Sequence, residues 1–294
     1  VDADLSWTAG LYTASHDVYF GTSATPAFVG NQAGTTYDPG TLLEGTTYYW
    51  AVDEVNATGT TAGAIWSFTT ANSLAPDVLH WSFDEGTGTT ATDSSGNTRD
   101  GVITGAAWST DTPDGSGYAL DFASGDFVED SDGGTYLNGL NAVTVALWVK
   151  SDITATDKGF FSTNTPNGQD NQLAGRYDAA GWAGGGTRGI KASISTTSGD
   201  SALESASYVQ TTAWQHIALT WSAGGSPKLY IDGVETVYTD APASVTGTLD
   251  YVSTLVIGKG TKDGGSSEGW SGLIDELRIY SRELLPSEVQ QLAQ

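Results

Sequence analysis

The chain has 294 residues and a formal net charge of −24, from 35 acidic and 11 basic side chains. A field of that sign repels nucleic acid and anionic membrane surfaces, and no basic cluster offsets it, so nucleic-acid binding is excluded. Cysteine is absent, which excludes disulfides and thiolate metal sites, and no apolar run approaches the ~20 residues of a membrane-spanning helix.

With 38 glycines, aromatics at 11 % and no long helix-period apolar stretch, the composition predicts an all-β protein. The length fits about two domains. Methionine is absent and the chain begins at Val1, as in a processed product or a piece of something longer. Export is expected, with any signal segment already removed.

Residues 1–70 are a string of short strands: Leu5-Ser6-Trp7, His16 to Gly21, Thr36 to Gly40, Leu43 to Val55 and Ile65 to Thr70. Tyr48, Trp50 and Val52 share one face by the two-residue period, and turn residues at regular spacing predict a small sandwich. Leu5-Ser6-Trp7, the Gly45-Thr46-Thr47-Tyr48-Tyr49-Trp50 corner and the exit Trp66-Ser67-Phe68-Thr69-Thr70 resemble a fibronectin type III domain. Almost nothing precedes Leu5, so the resemblance implies a domain lacking its first strand, with a spacer role. Ala71 to Asp77, polar and broken by Pro76, is the expected linker.

Residues 78–294 hold about a dozen further strand candidates. Among them are Val78 to Glu85, Ala119 to Phe122, Val143 to Val149, Trp214 to Trp221, Lys228 to Asp232 and Gly272 to Tyr280. Asp232-Gly233 marks a tight hairpin turn. Residues 163–187 look like one long irregular insertion. The pattern predicts a large two-sheet antiparallel jellyroll whose first and last strands lie side by side. One short helix is expected after Leu285, with Pro286 at its first position and Glu288 at its third.

Trp81-Ser82-Phe83-Asp84-Glu85-Gly86, Asp93-Ser94-Ser95-Gly96-Asn97, Ala146-Leu147-Trp148-Val149, Trp214-Gln215-His216 and Ile274-Asp275-Glu276-Leu277-Arg278 occur in that order. Together they resemble the laminin G-like, concanavalin A-like jellyrolls of bacterial extracellular proteins. The fold hosts sugar binders, protein binders and enzymes, so it does not by itself decide function.

Strand alternation sets Asp275 in register with Leu273, Leu277 and Ile279, where an unpaired carboxylate is costly. It must be protonated, pair with arginine or bind a cation. Asp84 and Asp93 could supply further hard oxygens, and the resemblance also implies a structural calcium here. Ligand contact is expected in the long insertion. There Asn171, Gln172 and Arg176 can hydrogen-bond sugar hydroxyls, and Tyr177 and Trp182 can stack on the C–H faces of the sugar rings, unless they only pin the loop; Trp270 is a further platform. Trp81, Trp148, Trp214 and Trp221 are expected in the core.

No recognisable catalytic motif appears: Asp275-Glu276 lacks a glucanase strand's spacing, and Gln215-His216-Ile217 has the wrong order for an alginate-lyase strand. The expected function is a monomeric, non-catalytic carbohydrate-binding module of a larger exported bacterial protein, holding a polysaccharide. The alternatives are an adhesion module or a polysaccharide-degrading enzyme.

Overall fold

The computed structural model describes residues 3–43, 45–70, 74–164, 173–179, 187–250, 252–259 and 268–294. The chain divides into two compact units, Val1–Leu74 and Ala75–Gln294, parting inside the proline-broken segment. Each is built almost wholly of antiparallel strands.

In the first unit, Ala27–Gln32, Ser15–Gly21, Thr47–Asn56 and Gly59–Thr61 form one sheet, with Trp66–Thr69 also pairing to Thr47–Asn56. Leu5–Ser6 and Thr36–Tyr37 form a separate two-stranded ribbon. Phe20, Tyr48 and Phe68 stack in sequence at 5.1 and 5.8 Å. The Tyr48 hydroxyl accepts the Leu43 N–H at 3.0 Å, tying the preceding turn to this aromatic stack.

The second unit has an eight-stranded and a nine-stranded sheet sharing one core. The eight-stranded sheet runs Ala107–Ser109, Ala119–Phe122, Gly272–Tyr280, Ala142–Ser151, Gln215–Ser222, Lys228–Ile231, Val234–Glu235. Leu79–Trp81 also pairs with Gly272–Tyr280, so the two ends of the unit do lie side by side. Leu277 faces Trp81 and Ile279 faces Leu79, and all four side chains are fully buried. The nine-stranded sheet includes Phe127–Asp130, Thr254–Ile257, Lys158–Asn164, Leu173–Asp178, Gly189–Thr196 and Gly199–Ser205. Leu173–Asp178 is therefore a regular strand where the sequence suggested irregular chain.

One irregularity decides the outer face of the eight-stranded sheet. Across from Gly272–Tyr280, Ala146 pairs with Arg278 but Trp148 pairs with Asp275, so three steps face two. The extra residue is a β-bulge, and Glu276 adopts φ +54 within it, a left-handed conformation that non-glycine residues seldom take. The bulge resets the alternation: Ile274 and Leu277 both enter the core while Asp275 emerges beside Trp148. Asp275 is thus not on the apolar face with Leu277 and Ile279, as simple alternation had it. It is buried instead against its own side of the sheet, 4 % exposed.

The last segment covers part of that same side. Helix Pro286–Leu292 buries Val289 and Leu292. Leu285, which cannot cap through its side chain, has its N–H bound by Glu288 Oε2 at 2.7 Å. Gly233 (φ +78) is needed where helix meets hairpin, because a Cβ there would stand 2.9 Å from Gln290 Cα.

Truncating the closing strand tests this architecture. Leu277→Ala leaves a cavity at a fully buried position, and we expect a loss of about 2–5 kcal/mol in urea unfolding. A loss within ~0.5 kcal/mol, the range of ordinary surface substitutions, would show that the terminal strand pair does not hold the unit together.

Candidate functional site

The nine-stranded sheet carries the charged row that includes Arg176. Pairing sets Arg176 beside Lys191, Lys191 beside Glu204 and Glu204 beside Asp240 across four strands. The Arg176 guanidinium forks between Asp178 Oδ2 at 2.9 Å and Glu268 Oε2 at 3.4 Å. Burial lowers the Lys191 pKa, and the Arg176 charge lowers it further. On the core face of the Arg176 strand lies an aromatic cluster. Tyr177 contacts Trp270 edge-on at 5.1 Å, and Phe160 contacts both rings.

Tyr177 and Trp270 are both fully buried, so neither offers a face to a ligand, contrary to the expectation for them. The Tyr177 hydroxyl donates to Gln215 Oε1 at 2.7 Å, and burial pushes its pKa up to about 12. Their burial instead fixes the strand that presents Arg176. Asn171, Gln172 and Trp182 lie outside the described residues.

Of the three aspartates expected to share a cation, Asp84 and Asp275 line one cavity and Asp93 lies outside it. Asp93 is a backbone clamp: Oδ1 accepts the N–H groups of His80 (3.0 Å) and Ser95 (2.9 Å), and Oδ2 that of Arg99 (3.0 Å). Burial would raise its pKa, but these bonds hold it below the usual carboxylate range. Asp84 is exposed, accepts the Tyr118 N–H at 3.1 Å, and joins Asp114 and Asp275 around one cavity. Among the described residues no three His, Asp or Glu side chains gather tightly enough to hold a metal ion.

Asp275 has its pKa pushed up to about 8, first by burial and then by Glu276, Asp84 and Asp114. Next to it, burial would raise Glu276, but the His80 hydrogen bond and the Arg278 charge hold its carboxyl down. His80 bridges Ser94 Oγ and Glu276 Oε2, each at 2.8 Å, and Arg278 Nη2 donates to the same carboxylate at 2.6 Å. This was missed in the sequence, where His80 has no evident partner.

Ser94, His80 and Glu276 have the composition of a hydrolytic triad without its surroundings. A tetrahedral oxyanion needs converging free donors. Here the N–H of Ser94 is given to the His80 carbonyl, and those of Ser95 and Arg99 to Asp93. The trio ties the first strand to the last.

Two tryptophans expected in the core lie outside it. Trp81 and Trp221 are fully buried, but Trp148 and Trp214 are only partly covered. Trp148 meets His216 edge-on at 5.3 Å, and Trp214 Nε1 donates to Asp111 Oδ1 at 2.9 Å. His216 itself is buried, and that burial, with the Arg278 charge, lowers its pKa to about 3.

A family model described as the concanavalin A-like lectin/glucanases superfamily (Laminin_G_3) matches residues 122–290. The chain belongs to that superfamily. Domain 4 of AbnA, a GH43 extracellular arabinanase from Geobacillus stearothermophilus solved with arabinotriose, is 27 % identical. The match covers 74 % of this chain and 98 % of that domain, with a TM-score of 0.52. A Trypanosoma rangeli sialidase matches over 84 % of this chain and 43 % of its own, with a TM-score of 0.55; at 13 % identity this likeness is one of fold. The rat "Sushi, von Willebrand factor type A, EGF and pentraxin domain-containing protein 1" is 28 % identical over 187 residues, 60 % of this chain. The chain spans 5 % of that relative's length.

The Asp275 carboxyl makes a pH prediction. Its pKa is raised on folding, so in EDTA its contribution is intact below pH ~4, near the unfolded pKa, and stability is lost as pH climbs toward about 8. Asp275→Asn should remove that slope and raise the melting midpoint near pH 8 relative to the native chain. We expect exchange of EDTA for calcium to leave the native midpoint unchanged; a rise that Asp275→Asn abolishes would restore calcium to this cavity.

Proposed function

We propose that the second unit is a carbohydrate-binding module that holds a polysaccharide without cleaving it. The observation that carries this reading is the 27 % identity across nearly all of an arabinanase domain that binds arabinotriose. The geometry supports it: Arg176 is a planar donor on a regular strand, steadied by two carboxylates, and the next residue, Tyr177, locks that strand into an aromatic core cluster. Guanidinium and carboxylate together offer donors and acceptors to paired sugar hydroxyls. The occupied backbone donors around Ser94 speak against hydrolysis there.

In this reading the module acts through proximity. Joined to a catalytic domain in a longer exported chain, it would raise the effective concentration of that domain near its polymer. The first unit would serve as a spacer. A shallow polar site of this kind binds weakly, about 1 mM to 1 μM, or roughly −4 to −8 kcal/mol.

Affinity electrophoresis through gels carrying arabinan and other plant polysaccharides tests the reading. We expect retardation by at least one glycan, with Arg176→Lys, which keeps a cation beside Asp178 but loses the planar fork, weakening it by about tenfold. No retardation by any glycan would defeat the proposal, and release of reducing ends would replace binding with catalysis.

A further inference from the structure

The cavity beside Asp275 has a volume of about 240 Å³. Asp84, Asp114, Asp275, Trp148, Arg278 and Gln291 help to line it. Arg278 is engaged with Glu276, so among the described residues no basic side chain forms an ion pair with Asp84, Asp114 or Asp275. Asp275 is 4 % exposed; its Oδ1 accepts the Glu276 N–H at 2.9 Å, while its Oδ2 has no donor among the described residues. The bulge at Glu276, with its left-handed φ, is what turns this carboxylate to the cavity.

The spacing of these charges selects among cations. Calcium draws its oxygens to within about 2.3–2.6 Å of one point, and these carboxylates are not gathered that closely. They stand around a space of sugar-ring size, with the Trp148 indole on one wall braced by His216 at 5.3 Å. A primary ammonium has three separate N–H donors for separate acceptors, and its carbon frame packs well against an indole face. A chain of net charge −24 also draws cationic polymers toward itself.

We propose that this cavity binds a sugar bearing a free primary amine, so that the module recognises a glycan containing unacetylated amino sugars. The inference rests on the glycan-binding reading above and adds a second contact, on the eight-stranded sheet, to the one at Arg176 on the nine-stranded sheet.

Titration calorimetry of the full 294-residue chain in EDTA tests it, using a glucosamine oligomer, its N-acetylated counterpart and a neutral arabinose oligomer. The glucosamine oligomer should bind about tenfold tighter than the acetylated one and lose affinity as salt rises. Asp114→Asn, at an exposed position whose side-chain oxygen can still accept the Ser116 N–H, should weaken it by about tenfold; Asp275→Asn should do the same. Asp4→Asn, an equal charge change in the first unit, should leave it unaltered.

Equal affinity for free and acetylated amines overturns the proposal, as does equal weakening by Asp4→Asn and Asp114→Asn, which would mean general charge attraction. Binding that requires calcium in place of EDTA overturns it in favour of a metal ion. Retention of the arabinose oligomer with refusal of glucosamine overturns it while leaving the glycan-binding reading intact. Refusal of every glycan removes both.

Discussion

The second unit depends on one long-range strand pair. Leu79–Trp81 and Gly272–Tyr280 are almost 200 residues apart in the chain, yet Leu79, Trp81, Leu277 and Ile279 seal the core together. Bringing such distant segments together costs loop-closure entropy, which local turns cannot repay. Apolar burial on the inner side and the Ser94–His80–Glu276–Arg278 chain on the outer side offset it. The outer chain also fixes where Glu276 lies, and hence where the bulge falls.

That bulge links packing to chemistry. A regular strand would have sent Asp275 into the core or moved Leu277 out of it. The extra residue lets both neighbours of the Asp275–Glu276 pair stay buried while a carboxylate emerges beside Trp148. The strain of a non-glycine left-handed residue is of order 1–3 kcal/mol, and it is held by three side-chain bonds on Glu276 and His80. Strain retained next to a cluster of like charges fits a site kept for binding.

Much of the architecture was legible because strands report their faces with a period of two. The matched end strands, the Asp232-Gly233 turn and the Pro286 helix start all follow from local chemistry. The site was less legible, for three physical reasons. A bulge breaks the period without a glycine to announce it, so Asp275 was assigned to the wrong face. Aromatic residues look alike whether they fill a core or face solvent, so Tyr177 and Trp270 passed for platforms while Trp148 and Trp214 passed for core. An aspartate in a loop looks the same whether it binds cations or backbone N–H groups, and Asp93 does the latter.

The antiparallel sense of that terminal pair has a mechanical corollary. Residue 79 lies opposite residue 279, so the chain enters the second unit and leaves its last strand at the same end of the ladder. Tension applied between those two points would not shear all the hydrogen bonds at once. It would peel them one after another, as a zipper opens, beginning at the Ser281 bonds to the Asp77 carboxylate and passing next to the bond from the Val78 N–H to the Ile279 carbonyl. Such a pair helps to close the core, yet a pull at its ends needs less force to open it than shearing every bond together would.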